Sequence, residues 1–443
     1  MTELLAGRRG ALVGLVVLGL ATVAVVLLTT PWRPLPTPPG GATPVDPARD
    51  FTAAQIARAE AFHRLLRPGS YAAAVLGLLV AGGFGLTPLG ARLAGALARP
   101  FGGGWGWQVV LGSVALAALG QLVALPFGLY AETVLRRYGL STQAWGSWAV
   151  DAAKGFTLGA GITAAVLAGL YAVVRAAPRT WWLWAAGGGA ALVVAASYLF
   201  PVLVEPIFNR FAPMPAGELR TSLLALAERD GVPVRDVLVA DASRRTTALN
   251  AYVSGFGATR RIVVYDTLLS TASPREVRLV VAHELGHARR DDVLHGTLAG
   301  ALGVAAAACA AYLLLGWPWL LRRAGVSGPA DGRSVALLLA LAAAGSLLAI
   351  PLGALASRRI EARADVHALE LTRDPAGFVA MERTLAVVNI ADLDPGPVSY
   401  AIFATHPTGP ERIALARDWS RLNDADLNDA DLNDARRADG AGP

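Results

Sequence analysis

The chain has 443 residues, 54% of them hydrophobic and only 16% charged, against roughly 45–50% and about 25% in an ordinary soluble domain. Its formal net charge of +6 comes from 39 basic and 33 acidic residues, and the arginines sit at the borders of apolar runs, not in a stripe with aromatics, so nothing supports a nucleic-acid partner. Cys309 is the single cysteine, which excludes an intramolecular disulfide and a Cys-based zinc cluster and leaves any metal to His and carboxylates.

Apolar stretches long enough to cross hydrocarbon as helices organise the chain. The first, Ala11 to Leu28, follows Arg8 and Arg9 without a convincing small-residue cleavage site and reads as an uncleaved anchor. Pro31 to Pro47 is a Pro/Gly-rich connector, and Phe51 to Leu66 has the spacing of a separate interfacial or soluble helix. Further spans are predicted at Tyr71–Gly90, Gln108–Tyr130, Phe156–Val174, Trp181–Pro201, Thr297–Gly316 and Ser334–Leu355, bordered by Arg, Trp or Pro. The total is then about seven.

Two polar stretches remain for chemistry. In Val202 to His295 the sequence predicts a helix from Glu218 to Asp230, stopped by Gly231, and strands at Asp236–Asp241 and Arg261–Asp266. The second begins at Arg358 and ends in a polar, acidic LNDAD repeat from Leu422 that matches neither helix nor strand and reads as disordered. The expected organisation is an anchor and connector over 1–70, a membrane body over 71–201, a catalytic lobe over 202–295, a membrane hairpin over 296–356, a C-terminal catalytic segment over 357–420 and a tail over 421–443. The fold class is mainly α, a polytopic membrane protein with a small α+β lobe. Lys154 is the only lysine, a composition that points to a GC-rich bacterial genome. The expected location is the bacterial cytoplasmic membrane with the catalytic side cytoplasmic, although charge counting over the short loops does not decide orientation.

The chemistry starts at His283-Glu284-Leu285-Gly286-His287, an H-E-x-x-H. Six histidines and twelve glutamates in 443 residues give about 0.002 expected chance matches, so the motif is specific. Ser273, Pro274 and Glu276 supply an N-cap, an N1 proline and a capping-box acid for a helix over it. On a helix, His283 and His287 share one face and can reach one Zn²⁺, while Glu284 can act on water at the metal. Further on, Glu361 and Asp365 stand four residues apart on a helix continuing from the last span. Glu361 can ligate and Asp365 can orient a ligand histidine; both could equally pair with Arg358 or Arg359 on an exposed face.

The H-E-L-G-H, followed by a membrane hairpin and R-R-x-E-x-x-A-D, resembles the type I CAAX prenyl endopeptidases, integral-membrane zinc metalloproteases of the gluzincin kind, and their bacterial relatives. Glu205 to Phe211, Asn250 to Phe256, Arg260 to Leu269 and Thr405-His406-Pro407 with Arg412 resemble family segments in the same order. The resemblance implies membrane helices enclosing a chamber, a zincin-like lobe, one Zn²⁺ held by His283, His287 and Glu361, Glu284 as general base and Asp365 behind the metal. It also implies that His406 and Arg412 stand near the substrate, His406 as a donor to the peptide or the developing oxyanion, with a purely structural ion pair as the other reading of Arg412. Substrate would lie along an edge strand at Asn250, Ala251 and Tyr252, unless Asn250 only begins that strand. Many family members carry a further His where this chain has Asp292. His295 reads as an interface residue, and His63 and His367 carry no pattern.

The expected activity is zinc-dependent peptide hydrolysis on a peptide or protein that is lipidated or membrane-derived, in contact with the lipid bilayer. The alternatives are a quality-control protease without prenyl specificity and a non-catalytic membrane scaffold with a structural metal.

Overall fold

A computed structural model describes residues 2–423. The tail expected over 421–443 therefore lies, from Asp424 onward, outside the described residues, and residues 421–423 continue a helix that begins at Gly409. The described residues divide into two compact units, one drawn from the chain up to Thr29 with Arg64–Phe208 and Val293–Ile350, the other from Thr30–His63, Asn209–Asp292 and the described residues from Pro351 onward.

Among the described residues, seven helices are long and apolar enough to span a membrane: Gly7–Thr29, Ala53–Gly85, Trp105–Arg137, Trp145–Ala176, Trp181–Phe208, Asp292–Leu315 and Gly332–Thr372. Large apolar side chains stand out from them, among them Leu28, Leu79, Leu122, Trp184 and Leu348, a surface suited to lipid and costly in water. Inside the helical unit Trp181 and Tyr312 pack with ring centroids 5.4 Å apart, and the buried Tyr171 hydroxyl meets Ser334 Oγ at 2.6 Å, so these two hydroxyls satisfy each other inside the unit.

One boundary differs from expectation. The separate helix at Phe51–Leu66 and the span at Tyr71–Gly90 are a single helix, Ala53–Gly85, with Pro68 inside it. Proline removes one N–H from the ladder, the one that would meet the Arg64 carbonyl, and the helix nonetheless runs on through it. The break falls instead at Thr87, whose hydroxyl accepts from Leu89 N–H to cap a new helix, Pro88–Ala98, with proline at its start.

The second unit holds the sheet. β1 (Phe211–Pro213), β2 (Asp236–Ala240), β3 (Ala251–Ser254) and β4 (Arg261–Tyr265) lie in the order β1-β2-β4-β3. β2 and β4 run parallel, while β1 pairs antiparallel with β2 and β3 with β4. β3 is thus an edge strand, and β1, three residues ending in proline, had no alternation by which to be seen beforehand. The helix carrying the H-E-x-x-H, Pro274–Arg289, packs on β3 and on helices Glu218–Arg229 and Pro375–Val388. Their shared core includes Leu223, Ile262, Val264, Leu279, Leu285 and Phe378.

Candidate metal centre

The motif helix starts as its sequence requires. Ser273 Oγ accepts from Glu276 N–H at 3.3 Å and Glu276 Oε2 accepts from Ser273 N–H at 2.8 Å, with Pro274 in the first turn. Thr384 donates to the other oxygen of Glu276 at 2.6 Å, so the cap is tied to the neighbouring helix. This fixes the rotation of the helix and with it the direction of both motif histidines.

His283 Nε2 lies 3.2 Å from His287 Nε2 and 3.2 Å from Glu361 Oε2; His287 Nε2 is 3.6 Å from Glu361 Oε1. Ligand atoms about 2.0–2.1 Å from one tetrahedral ion lie about 3.4 Å apart, so this triangle fits a single metal. Among the described residues, His283, His287 and Glu361 form a group able to hold an ion. Each imidazole is also held from behind: Asp365 Oδ1 stands 2.8 Å from His283 Nδ1 and Asp292 Oδ2 stands 2.9 Å from His287 Nδ1. That arrangement fixes the tautomer that leaves Nε2 to the metal.

The electrostatics suit a cation. Burial opposes charging of His283, yet hydrogen bonds with Asp365 and Glu361 push its imidazole up to about 10, so the surrounding carboxylates favour positive charge at that point. Burial also pushes the Glu284 carboxyl upward, against the attraction of His283 and His287.

Behind the histidines is a buried charge network. Asp365, with no exposed surface, receives the guanidinium of Arg412 through Nε at 2.8 Å and through Nη2. Arg412 Nη1 also stands 2.8 Å from Glu382 Oε1, as an ion pair without hydrogen-bond direction. Burial raises the Glu382 carboxyl to about 7, with Arg412 opposing.

Of the residues singled out from the sequence, His283, Glu284, His287, Glu361, His406, Arg412, Asn250, Ala251 and Tyr252 line one cavity of about 480 Å³. Asp365 lines the adjoining one, with Arg412 in the wall of both. His406 is exposed and its Nε2 lies 3.5 Å from Glu361 Oε2. Asn250 precedes β3, and its Oδ1 accepts from Ala251 N–H at 2.9 Å. Reading the sequence missed the place of Asp292 because five residues along a helix point away from the start. The helix ends at Arg289, and Asp291 takes the left-handed conformation at φ 51°, which aspartate tolerates and which folds Asp292 back onto His287. Glu382 was missed because a lone glutamate in an apolar helix carries no pattern.

Gly286 shows how closely the two helices that carry the candidate ligands approach. A Cβ there would stand 3.1 Å from His367 Cβ and Cδ2, and His367 cannot swing aside freely because its Nε2 is 3.1 Å from Asp230 Oδ2. Gly286→Ala is expected to push apart the helices that carry His283 and Glu361, lowering stability by about 1–3 kcal/mol and weakening metal binding. Thermal melting and competitive metal titration check this; an unchanged midpoint and affinity would show that His367 yields.

Residues 213–420 match the family model described as Peptidase family M48, and residues 69–210 match that of the CAAX prenyl protease N-terminal region, five membrane helices. The chain is 32% identical over 307 residues to "Uncharacterized metalloprotease YhfN" of Bacillus subtilis, covering 67% of this chain and 70% of that one. With CAAX prenyl protease 1 of Saccharomyces cerevisiae it shares 32% identity over 182 residues, 41% of this chain and 40% of the relative. The crystal structure of S. mikatae Ste24p superposes with a TM-score of 0.73 at 20% identity, covering 94% of this chain and 99% of that one, which shows a common fold.

Proposed function

The chain belongs to peptidase family M48 and is a multi-pass membrane metalloprotease related to the CAAX prenyl proteases, and from that premise we propose a zinc-dependent endopeptidase whose metal is held by His283, His287 and Glu361. The observation that carries the reading is the triangle of Nε2, Nε2 and Oε atoms with a carboxylate behind each imidazole. Three protein ligands leave a coordination position for reaction, whereas structural zinc sites close with four.

Zinc, when bound, would supply a Lewis acid able to polarise a scissile carbonyl and to lower the pKa of water so that it gives up a proton and becomes a nucleophile. Glu284 takes the proton of that water and passes it to the leaving amine, a task suited to a carboxyl that burial holds above its ordinary range. His406, exposed at the cavity wall, donates to the peptide or to the charge growing on its carbonyl oxygen. Asp365 positions His283, and Arg412 positions Asp365. Asn250, Ala251 and Tyr252 take the substrate as an added strand on β3, which holds the peptide at a set height whatever its side chains.

The substrate assigned is an unstructured or membrane-derived peptide, lipidated or not, with membrane-protein quality control as readily served as prenylated peptides. The Bacillus subtilis relative and the arginine-rich composition support a bacterial cytoplasmic membrane, and we assign the metal-bearing lobe to its cytoplasmic side.

Purified protein reconstituted in detergent should hold about one zinc per chain and cut an unstructured peptide, lose cleavage on chelation and regain it on zinc addition. Zinc-loaded protein that cuts neither unstructured nor membrane-derived peptides, where control metalloproteases do so in the same detergent, would leave a non-catalytic scaffold as the function.

A further inference from the structure

The outer side of β3 is not uniformly open. Tyr265 N–H donates to the Asn250 carbonyl at 3.0 Å and Thr267 Oγ1 to the Ala248 carbonyl at 2.7 Å, so Asn250 turns its carbonyl toward β4 and Ala248 toward the short helix Asp266–Thr271 that follows it. By the alternation of an antiparallel pair, Tyr252 and Ser254 turn toward β4 too, while Leu249, Ala251 and Val253 turn outward to the side a docked peptide would use. At Leu249 that side is already taken. Its N–H donates to Asn389 Oδ1 at 2.8 Å and its carbonyl accepts from Asn389 Nδ2 at 3.1 Å. One carboxamide thus reproduces the two-bond pairing of a neighbouring strand, and Asn389 lines the same cavity as His283 and Glu284.

The turn that presents Asn389 is held in place at a cost. Asn389 is the C-cap of helix Pro375–Val388, and Ile390 follows at φ 49°, a left-handed conformation that a β-branched residue adopts only under constraint. The constraint is visible: Ala391 N–H donates to the Ala386 carbonyl at 2.8 Å, Ile390 is 3% exposed, and His63 Nε2 lies 2.8 Å from the Ile390 carbonyl. A histidine without a sequence pattern thereby has a place in the fold.

We infer that Asn389 is a positioning residue that sets the register of the bound peptide: by closing the edge at Leu249 it leaves Val253 and the Ala251 carbonyl to pair with peptide, the Ala251 N–H being held by Asn250 Oδ1, and so fixes which peptide bond lies over the metal. The inference rests on the peptidase reading above. A strand can slip by two residues and keep the same face toward its partner, whereas a slip of one inverts it. Opening Leu249 therefore offers a peptide one alternative placement, two residues along.

The test is the cleavage map, by mass spectrometry, of unstructured peptides of mixed sequence. Wild type should favour one bond in each peptide. Asn389→Ala should add a second product pair displaced by two residues, with site fidelity falling about 2- to 10-fold, the worth of a hydrogen-bonded pair. Asn389→Asp keeps the acceptor for Leu249 N–H and loses the donor to its carbonyl, so it should fall between, and it reads the same quantity should the alanine variant not fold. A second readout needs no turnover: with peptide bound to the Glu284→Gln protein, amide-exchange protection should rise at Val253, and in the Asn389→Ala, Glu284→Gln double variant the Leu249 amide should lose protection in the free protein and gain it with peptide. Unchanged cut sites in both variants and a Leu249 amide indifferent to peptide overturn the register role while leaving the peptidase reading in place. Wild type that cuts nothing overturns the peptidase reading, and the exchange measurement then decides the register by itself.

Discussion

Glu284→Gln should lower kcat by roughly 10²–10⁴, the worth of a positioned proton-transfer group, while zinc content stays at the wild-type level. The separation of the two effects follows from the geometry. The proposed ligand atoms belong to His283, His287 and Glu361, and the imidazoles are held by Asp365 and Asp292; none of these contacts uses Glu284. Glutamine fills the same volume and keeps a carbonyl oxygen toward the cavity, but it cannot accept and return a proton. Burial pushes the Glu284 carboxyl upward, so an amide should be easier to bury than the carboxylate, and the metal-free variant should melt no lower than metal-free wild type. Metal analysis, peptide cleavage and thermal melting on the same preparation decide it. Loss of zinc with loss of activity would make Glu284 part of the metal cage, and cleavage at the wild-type rate would remove it from the mechanism.

The largest loss of stability should come from Arg412→Leu. The guanidinium, only 13% exposed, serves two carboxylates, Asp365 at 0% and Glu382 at 2% exposure, and deleting it removes the cation they share and leaves Asp365 to His283 alone. Breaking a buried pair from one side costs about 3–5 kcal/mol, a fall in Tm on the order of 10 °C for a unit of this size. Because Asp365 holds His283, metal affinity should fall as well, by about 10–100-fold. Arg412→Lys should recover only part, since an ammonium cannot present the planar fork that meets both oxygens of Asp365.

The pH dependence of that loss has a defined sign. The Glu382 carboxyl is raised in the folded chain from 4.5 to about 7, so its contribution is fully present below about 4.5 and is lost as pH rises through 7. Removing Arg412 takes away the influence that opposes burial, raising the carboxyl further. The difference in Tm between Arg412→Leu and wild type should therefore widen from pH 5 to pH 8. A constant difference across that range would show Glu382 to be a bystander and the loss to reside at Asp365.

The sequence alone determined what short range and period can encode. Runs of apolar residues bounded by Arg, Trp and Pro placed the seven membrane helices because a helix must satisfy its own backbone in lipid and needs a known length to do so. Ser273, Pro274 and Glu276 placed the start of the motif helix, and four-residue spacing put His283 and His287 on one face. Spacing of the same kind suggested that Glu361 and Asp365 act as a pair. The tertiary structure decided what depends on chain reversal and on neighbours distant in sequence. Asp292 reaches His287 because one left-handed residue turns the chain between two helices. Pro68 remains inside a helix that the sequence reading splits in two around it. Arg412 and Glu382 became one buried network with Asp365, across a span of residues over which no local pattern links them. Asn389 closes the edge at Leu249 across 140 residues; its contacts are made by a side-chain amide to backbone, and backbone groups have no signature in sequence. Spacing on one helix is local and brings candidate ligands into view early, whereas the groups behind them and along the cavity belong to packing.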